Sequence, residues 1–133
     1  MEKITSQKGK IVLLHFGYSY RKDKDNQDGS TSWRCCKNIC RGRIKTNNDN
    51  IISISDHYHA PDPEKIEALK VLANIRKRAI EGTENPKQII HQAQRGISSA
   101  VATHLPEYKS SQRTIERLRK HKELNLKMKT VNN

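Results

Sequence analysis

Two cysteines and two histidines limit what this chain can become: Cys35 and Cys40, then His57 and His59, in the pattern Cys-x4-Cys-x16-His-x-His. Thiolate and neutral imidazole are the donors that structural zinc takes, and four protein donors leave no position open to substrate. In the helical two-Cys two-His finger the histidines stand three to five residues apart. Here a single residue, Tyr58, separates them. Side chains alternate faces along a strand, so His57 and His59 on extended chain would point the same way. The spacing predicts a zinc site built on β-structure.

Composition points to a small module rather than one large core. The chain has 133 residues, of which 33% are hydrophobic, 30% charged and 5% aromatic, well below the apolar share of an ordinary globular domain. A metal-stapled unit with helical appendages fits, because ligand bonds replace buried area in small domains. Three cysteines, two of them adjacent, do not make a disulfide framework and, in a reducing intracellular compartment, read better as zinc ligands. No apolar run is long enough to span a bilayer, and no signal-peptide pattern stands near Met1.

Net charge is +12, unevenly spread. Residues 1–60 hold 11 Lys/Arg against 6 Asp/Glu, residues 61–108 hold 7 against 6, and residues 109–133 hold 8 against 2. A basic metal module with a basic tail suits a polyanion, and nucleic acid is the commonest one. The plain alternative for the tail is a solvated helix face.

The strand pattern is short and broken by turns. Ile11 to Phe16 reads as a strand, Gly17 as a turn or bulge, and Tyr18 and Tyr20 share a face. Arg21 to Ser32 is polar and reads as a hairpin loop. Ser32 to Cys36 and Arg41 to Thr46 are the next strands, followed by a turn at Asn47-Asn48-Asp49-Asn50. Ile51 to Ser55 then leads into the histidine pair. Four short strands of this kind make a small antiparallel sheet.

Past His59 the periodicity becomes helical. Asp62 is placed to cap and Pro63 to open a helix in which Ile66, Leu69, Leu72, Ala73, Ala79 and Ile80 recur up to Gly82. Asn85-Pro86-Lys87-Gln88 starts a second helix with the pattern of a capping box, and Ile89, Ile90, Ala93 and Ile97 form its stripe. Leu105-Pro106 interrupts the chain, and Ser111 opens a third helix to about Leu126. Thr130 to Asn133 reads as frayed. The expected fold is α+β: a zinc-stapled antiparallel sheet over residues 3–60, then two or three helices over residues 61–133.

Trp33-Arg34 before Cys35, Arg41-Gly42-Arg43 after Cys40, and the histidine pair ending in Ala60-Pro61 together resemble the FLYWCH zinc finger. The resemblance covers about residues 3–60 and rests on Leu13 or Leu14, Tyr20, Trp33, Cys35, Cys40, His57 and His59. The family's opening Phe is absent, and Ile4 is the nearest apolar residue. Cys35 and Cys36 compete for the first ligand position, and the family pattern, with the ligand directly after Trp-Arg, favours Cys35. The resemblance implies a zinc-dependent, DNA-binding, nuclear protein. Residues 61–133 are similar to the segment that precedes the catalytic domain of Mutator-like transposases. That implies transposon-related descent, with the sequence to Asn133 expected to be a truncated element or a remnant.

Candidate DNA contacts follow from alternation. Arg41, Arg43 and Lys45 would share one strand face while Ile44 points inward, and a cation row suits phosphates along a groove. Arg34 joins them as a candidate, and Arg113, Arg117 and Lys120 recur along one face of the third helix. A solvated outer face is the alternative for the strand. Trp33 is assigned to the module's core rather than to base stacking. Histidines 15, 91, 104 and 121 lack partners at ligand spacing. No catalytic constellation appears, so an enzyme or a small-molecule substrate is not expected. A zinc-stabilised protein-interaction module is the alternative to DNA binding.

Overall fold

The computed structural model describes residues 1–131. Two compact units divide there, Met1–Ile66 and the chain from Glu67 onward. The first is a six-stranded antiparallel sheet in sequence order: β1 (Glu2–Thr5), β2 (Ile11–His15), β3 (Tyr18–Asp25), β4 (Thr31–Cys35), β5 (Arg43–Asn47) and β6 (Asn50–Ile54). It curls enough for Lys3 of β1 to pair with Asp49, in the turn after β5, at 2.8 Å.

Two strands exceed the four read from sequence. β1 forms around Ile4, which stands opposite Val12. β3 runs on to Asp25, so the expected Arg21–Ser32 loop shrinks to a short connection before Thr31. Backbone pairing to β4 carries this polar stretch, with a register shift between Lys22 and Lys24. Alternation then sorts the sheet. Leu13, Tyr20, Trp33 and Ile44 face inward as one buried cluster, with Tyr18 packed against it. The Trp33 indole N–H donates to Thr46 Oγ1 at 3.0 Å, satisfying the one polar atom of a core indole. Both Leu13 and Leu14 are buried, and Leu13 is the one that packs with Tyr20 and Trp33.

The second unit is helical: α1 (Pro63–Glu81, which begins in the first unit), α2 (Pro86–Ala93), α3 (Ser99–Ala102) and α4 (Tyr108–Val131). Asn85 caps α2, accepting from the Gln88 backbone N–H at 2.9 Å, and Ser98 caps the short α3 in the same way. Ile75, Ala79, Ile89, Ile90 and Ile115 form the core, with Val71, Ala93 and Leu118 against it. The inward stripe of α1 is thus the buried Ala68, Ile75 and Ala79 with the half-buried Val71, one i, i+3/i+4 ladder. Ile80, expected in that stripe, is exposed. α4 starts at Tyr108, three residues before Ser111, and Ser111 is buried inside it. The expected fraying falls partly outside the described residues: α4 reaches Val131, and residues 132 and 133 are not among those described. No described helix is long and apolar enough to cross a membrane.

Candidate metal centre

The four expected ligands converge. One donor atom from each of Cys35, Cys40, His57 and His59 lies within 4.8 Å of every other. Cys35 Sγ is 3.3 Å from His59 Nε2, and Cys40 Sγ is 3.3 Å from His57 Nδ1. Bond lengths of about 2.3 Å to sulfur and 2.0 Å to nitrogen, at tetrahedral angles, place such atoms roughly 3.5 Å apart. The donor set and its spacing therefore fit Zn2+. Cys35 ends β4 buried and joins the cluster, whereas Cys36, just past the strand, is exposed and outside it, which favours Cys35 as the ligand.

The histidines reach the cluster differently from expectation. Both lie after Ile54, in irregular chain, rather than on β6. Hydrogen bonds do the orienting instead of strand alternation. His57 turns Nδ1 toward sulfur, which leaves the proton on Nε2 to be donated to the Tyr20 hydroxyl at 2.6 Å. His59 turns Nε2 toward sulfur and its Nδ1 toward the Ala60 carbonyl at 3.1 Å. Locking the second ring nitrogen fixes tautomer and orientation, as outer partners of zinc histidines do. Tyr18 stacks on His57 at 3.6 Å and nearly parallel, and its hydroxyl donates to the His59 carbonyl at 3.0 Å.

Two glycines make room. A Cβ on Gly42 would come within 2.5 Å of the His57 ring, so the ring occupies space that only glycine leaves. A Cβ on Gly17 would meet Pro61 at 2.7 Å, and the Gly17 carbonyl accepts from the Asp62 N–H at 2.9 Å. That bond anchors the chain leaving the histidines.

Electrostatics divide the cluster: Cys40 and His57 lean toward the forms a metal binds, and Cys35 toward the thiol. Burial pushes the Cys35 thiol up. Burial acts the same way on Cys40, but N–H donors at Tyr58 and Gly42, with Cys35 and Arg43 helping, bring it below the ordinary thiol value. Burial lowers His57, assisted by His59, and so favours the neutral imidazole that a metal needs. Burial, then the nearby Cys35, Tyr18 and Cys40, pushes Tyr20 up to about 12, keeping its hydroxyl protonated.

The candidate DNA contacts are only partly gathered. β5 begins at Arg43, so Arg41 precedes the strand as an exposed loop residue, and only Arg43 and Lys45 alternate with buried Ile44 and Thr46. Arg34 stands opposite Arg43, and Arg21 stands opposite Arg34. Lys24, Ser32 and Lys45 form a second cross-strand row. Arg21 and Lys24 were hidden by the loop reading. Continuing the Tyr18–Tyr20 alternation was the signal that could have found Arg21; Lys24 reaches the outer face only through the register shift after Lys22, which the sequence does not mark. Arg113, Arg117 and Lys120 are exposed on α4, in the other unit. Arg119 serves structure instead: its guanidinium donates to the Ala79 and Gly82 carbonyls at 3.0 and 3.3 Å, where cations offset a helix C-terminus.

None of the curated proteins compared with the chain matches it. The unit that carries the cluster does match a family model: residues 3–60 correspond to the FLYWCH zinc finger domain.

Proposed function

We propose that this is a zinc-dependent nucleic-acid-binding module that grips duplex DNA through the outer face of β3, β4 and β5. The observation that carries the reading is the row Arg21–Arg34–Arg43. Like charges set directly opposite across strands cost stability, and no carboxylate forms an ion pair with any of the three among the described residues. Phosphates would remove that repulsion. β-structure is known to enter the major groove, with Arg41 and Lys45 as further phosphate contacts and Arg113, Arg117 and Lys120 as an accessory grip from α4. A DNA partner supports a nuclear location. The likeness of residues 61–133 to the segment before a transposase catalytic domain supports transposon-related descent.

A protein-interaction module is the second reading, favoured by the edge strand β6, where Ile51, Ile52 and Ile54 are exposed. Salt separates the two, because phosphate contacts weaken steeply as salt rises while an apolar interface holds. Replacing Arg21, Arg34 and Arg43 with Gln should keep zinc content and reduce the slope of log K against log salt by about 2 to 3. An unchanged slope and affinity would contradict the proposal.

A further inference from the structure

Two turns of the sheet share a backbone and differ in chemistry. Asn48–Asp49 joins β5 to β6 with φ of 50° and 69°, and Phe16–Gly17 joins β2 to β3 with φ of 47° and 82°. Two-residue hairpin loops with positive φ at both positions are type I′ turns, which select Asn, Asp and Gly. Asn48–Asp49 obeys that rule. Phe16 does not, for a bulky L-residue at positive φ is strained. Burial does not offset the strain, since Phe16 is 83% exposed.

Among the described residues the one ring contact of Phe16 is edge-to-face with its neighbour His15, at 4.3 Å between centroids, a contact on the order of 1 kcal/mol. Strain so little offset by packing is found where a residue serves function, and Phe16 has company. Ile39, between the ligand cysteines, is 89% exposed, and Tyr58, between the ligand histidines, is 68% exposed. Their segments, the β2–β3 turn, the β4–β5 connection and the chain after β6, all leave the sheet at its metal end. The row Arg21–Arg34–Arg43 crosses β3 to β5 near that end, with Arg34 directly before the ligand Cys35.

We infer that Phe16, with Ile39 and Tyr58 on the other connections at that end, is the base-contacting tip of the module, and that the arginine row holds phosphates near it. This rests on the nucleic-acid reading above. Charge complementarity chooses the occupant, because duplex DNA offers phosphates to the row together with apolar surface to the tip. Thymine methyl groups, displayed in the major groove that the β-face is proposed to enter, accept such apolar contacts. The phosphate contacts set affinity and register, while the tip supplies sequence discrimination.

The test uses the full zinc-loaded chain, with a randomised duplex library and then the recovered sequence against a scrambled duplex. Phe16→Asn restores the residue type the turn prefers. It should keep the zinc and be at least as resistant to denaturation, yet lose tenfold or more of its preference for the recovered sequence. Its salt slope should match the parent's, because no phosphate contact is lost. If Phe16→Asn keeps the parent's affinity and preference, the tip assignment is overturned and the arginine face stands. If the variant loses its zinc, Phe16 belongs to the fold and the assignment is again overturned. If the parent binds no duplex in a salt-dependent way, the nucleic-acid reading fails and the tip assignment fails with it.

Discussion

The sheet unit and the helical unit are held together by different physics. In the sheet unit the core is Leu13, Tyr20, Trp33 and Ile44, and it runs directly into the ligand cluster, because Tyr20 is both a core residue and the hydrogen-bond partner of His57. The helical unit is closed by aliphatic residues, Ile75, Ala79, Ile89, Ile90 and Ile115, and its helix ends are satisfied by Asn85, Ser98 and Arg119. A small sheet with four large core residues depends on ligand bonds for its free energy. A helix cluster with capped ends and an apolar core does not. The contrast teaches that zinc dependence should stop at the sheet.

The largest effect expected from a single residue is loss of a ligand. Cys40→Ser or His57→Ala should abolish stoichiometric zinc binding and unfold the sheet, whereas Cys36→Ser should bind zinc as the parent does; metal analysis of the purified chains decides. Next comes the helical core, where Ile115→Ala removes a fully buried side chain and should cost about 2–5 kcal/mol. Its effect should appear in the helical transition alone, with zinc content untouched. A shift in the zinc midpoint would show the two regions to be coupled. For this reason a truncation at Leu105 is a poor probe of α4, since it removes Ile115; Gln at Arg113, Arg117 and Lys120 tests the accessory grip without that damage.

Smaller effects sharpen the comparison. Tyr20→Phe keeps the core ring and removes only the oxygen that His57 meets, so zinc affinity should fall about 10–100-fold while the helical transition stays fixed, as competition with a chromophoric chelator would measure. Asn85→Ala should cost about 1 kcal/mol of the helical unit and leave zinc binding alone, read by denaturation followed at a helix wavelength.

How much of this was legible depended on where the information lay. Ligand chemistry is written in residue identity, so Cys35, Cys40, His57 and His59 were readable without the fold, as were the Asn85 cap and the helix that Pro63 opens. Pairing is written between strands and was not. Arg21 to Asp25 are exposed throughout, so no apolar alternation marks that half of β3, and its pairing with β4 is what extends the strand to Asp25. β1 rests on one apolar residue, Ile4, and was missed for the same reason. The outer arginine row could not be assembled without register, because Arg21, Arg34 and Arg43 are 13 and 9 residues apart in sequence and adjacent only across the sheet. Helical periodicity placed α1 and part of its buried face, Ile66 and Ala79, but missed Ala68 and Ile75 and wrongly included the exposed Ile80.

The most direct test of zinc-held sheet and self-held helices is chelation of the zinc-loaded chain, followed simultaneously by Trp33 and by helical circular dichroism. Trp33 is the only tryptophan and lies in the sheet core, so its signal reports that unit alone. The account predicts that Trp33 loses its native environment on chelation and regains it at one zinc per chain, while most of the helical signal persists throughout. A Trp33 signal indifferent to chelation, or a helical signal that collapses with it, would contradict the account.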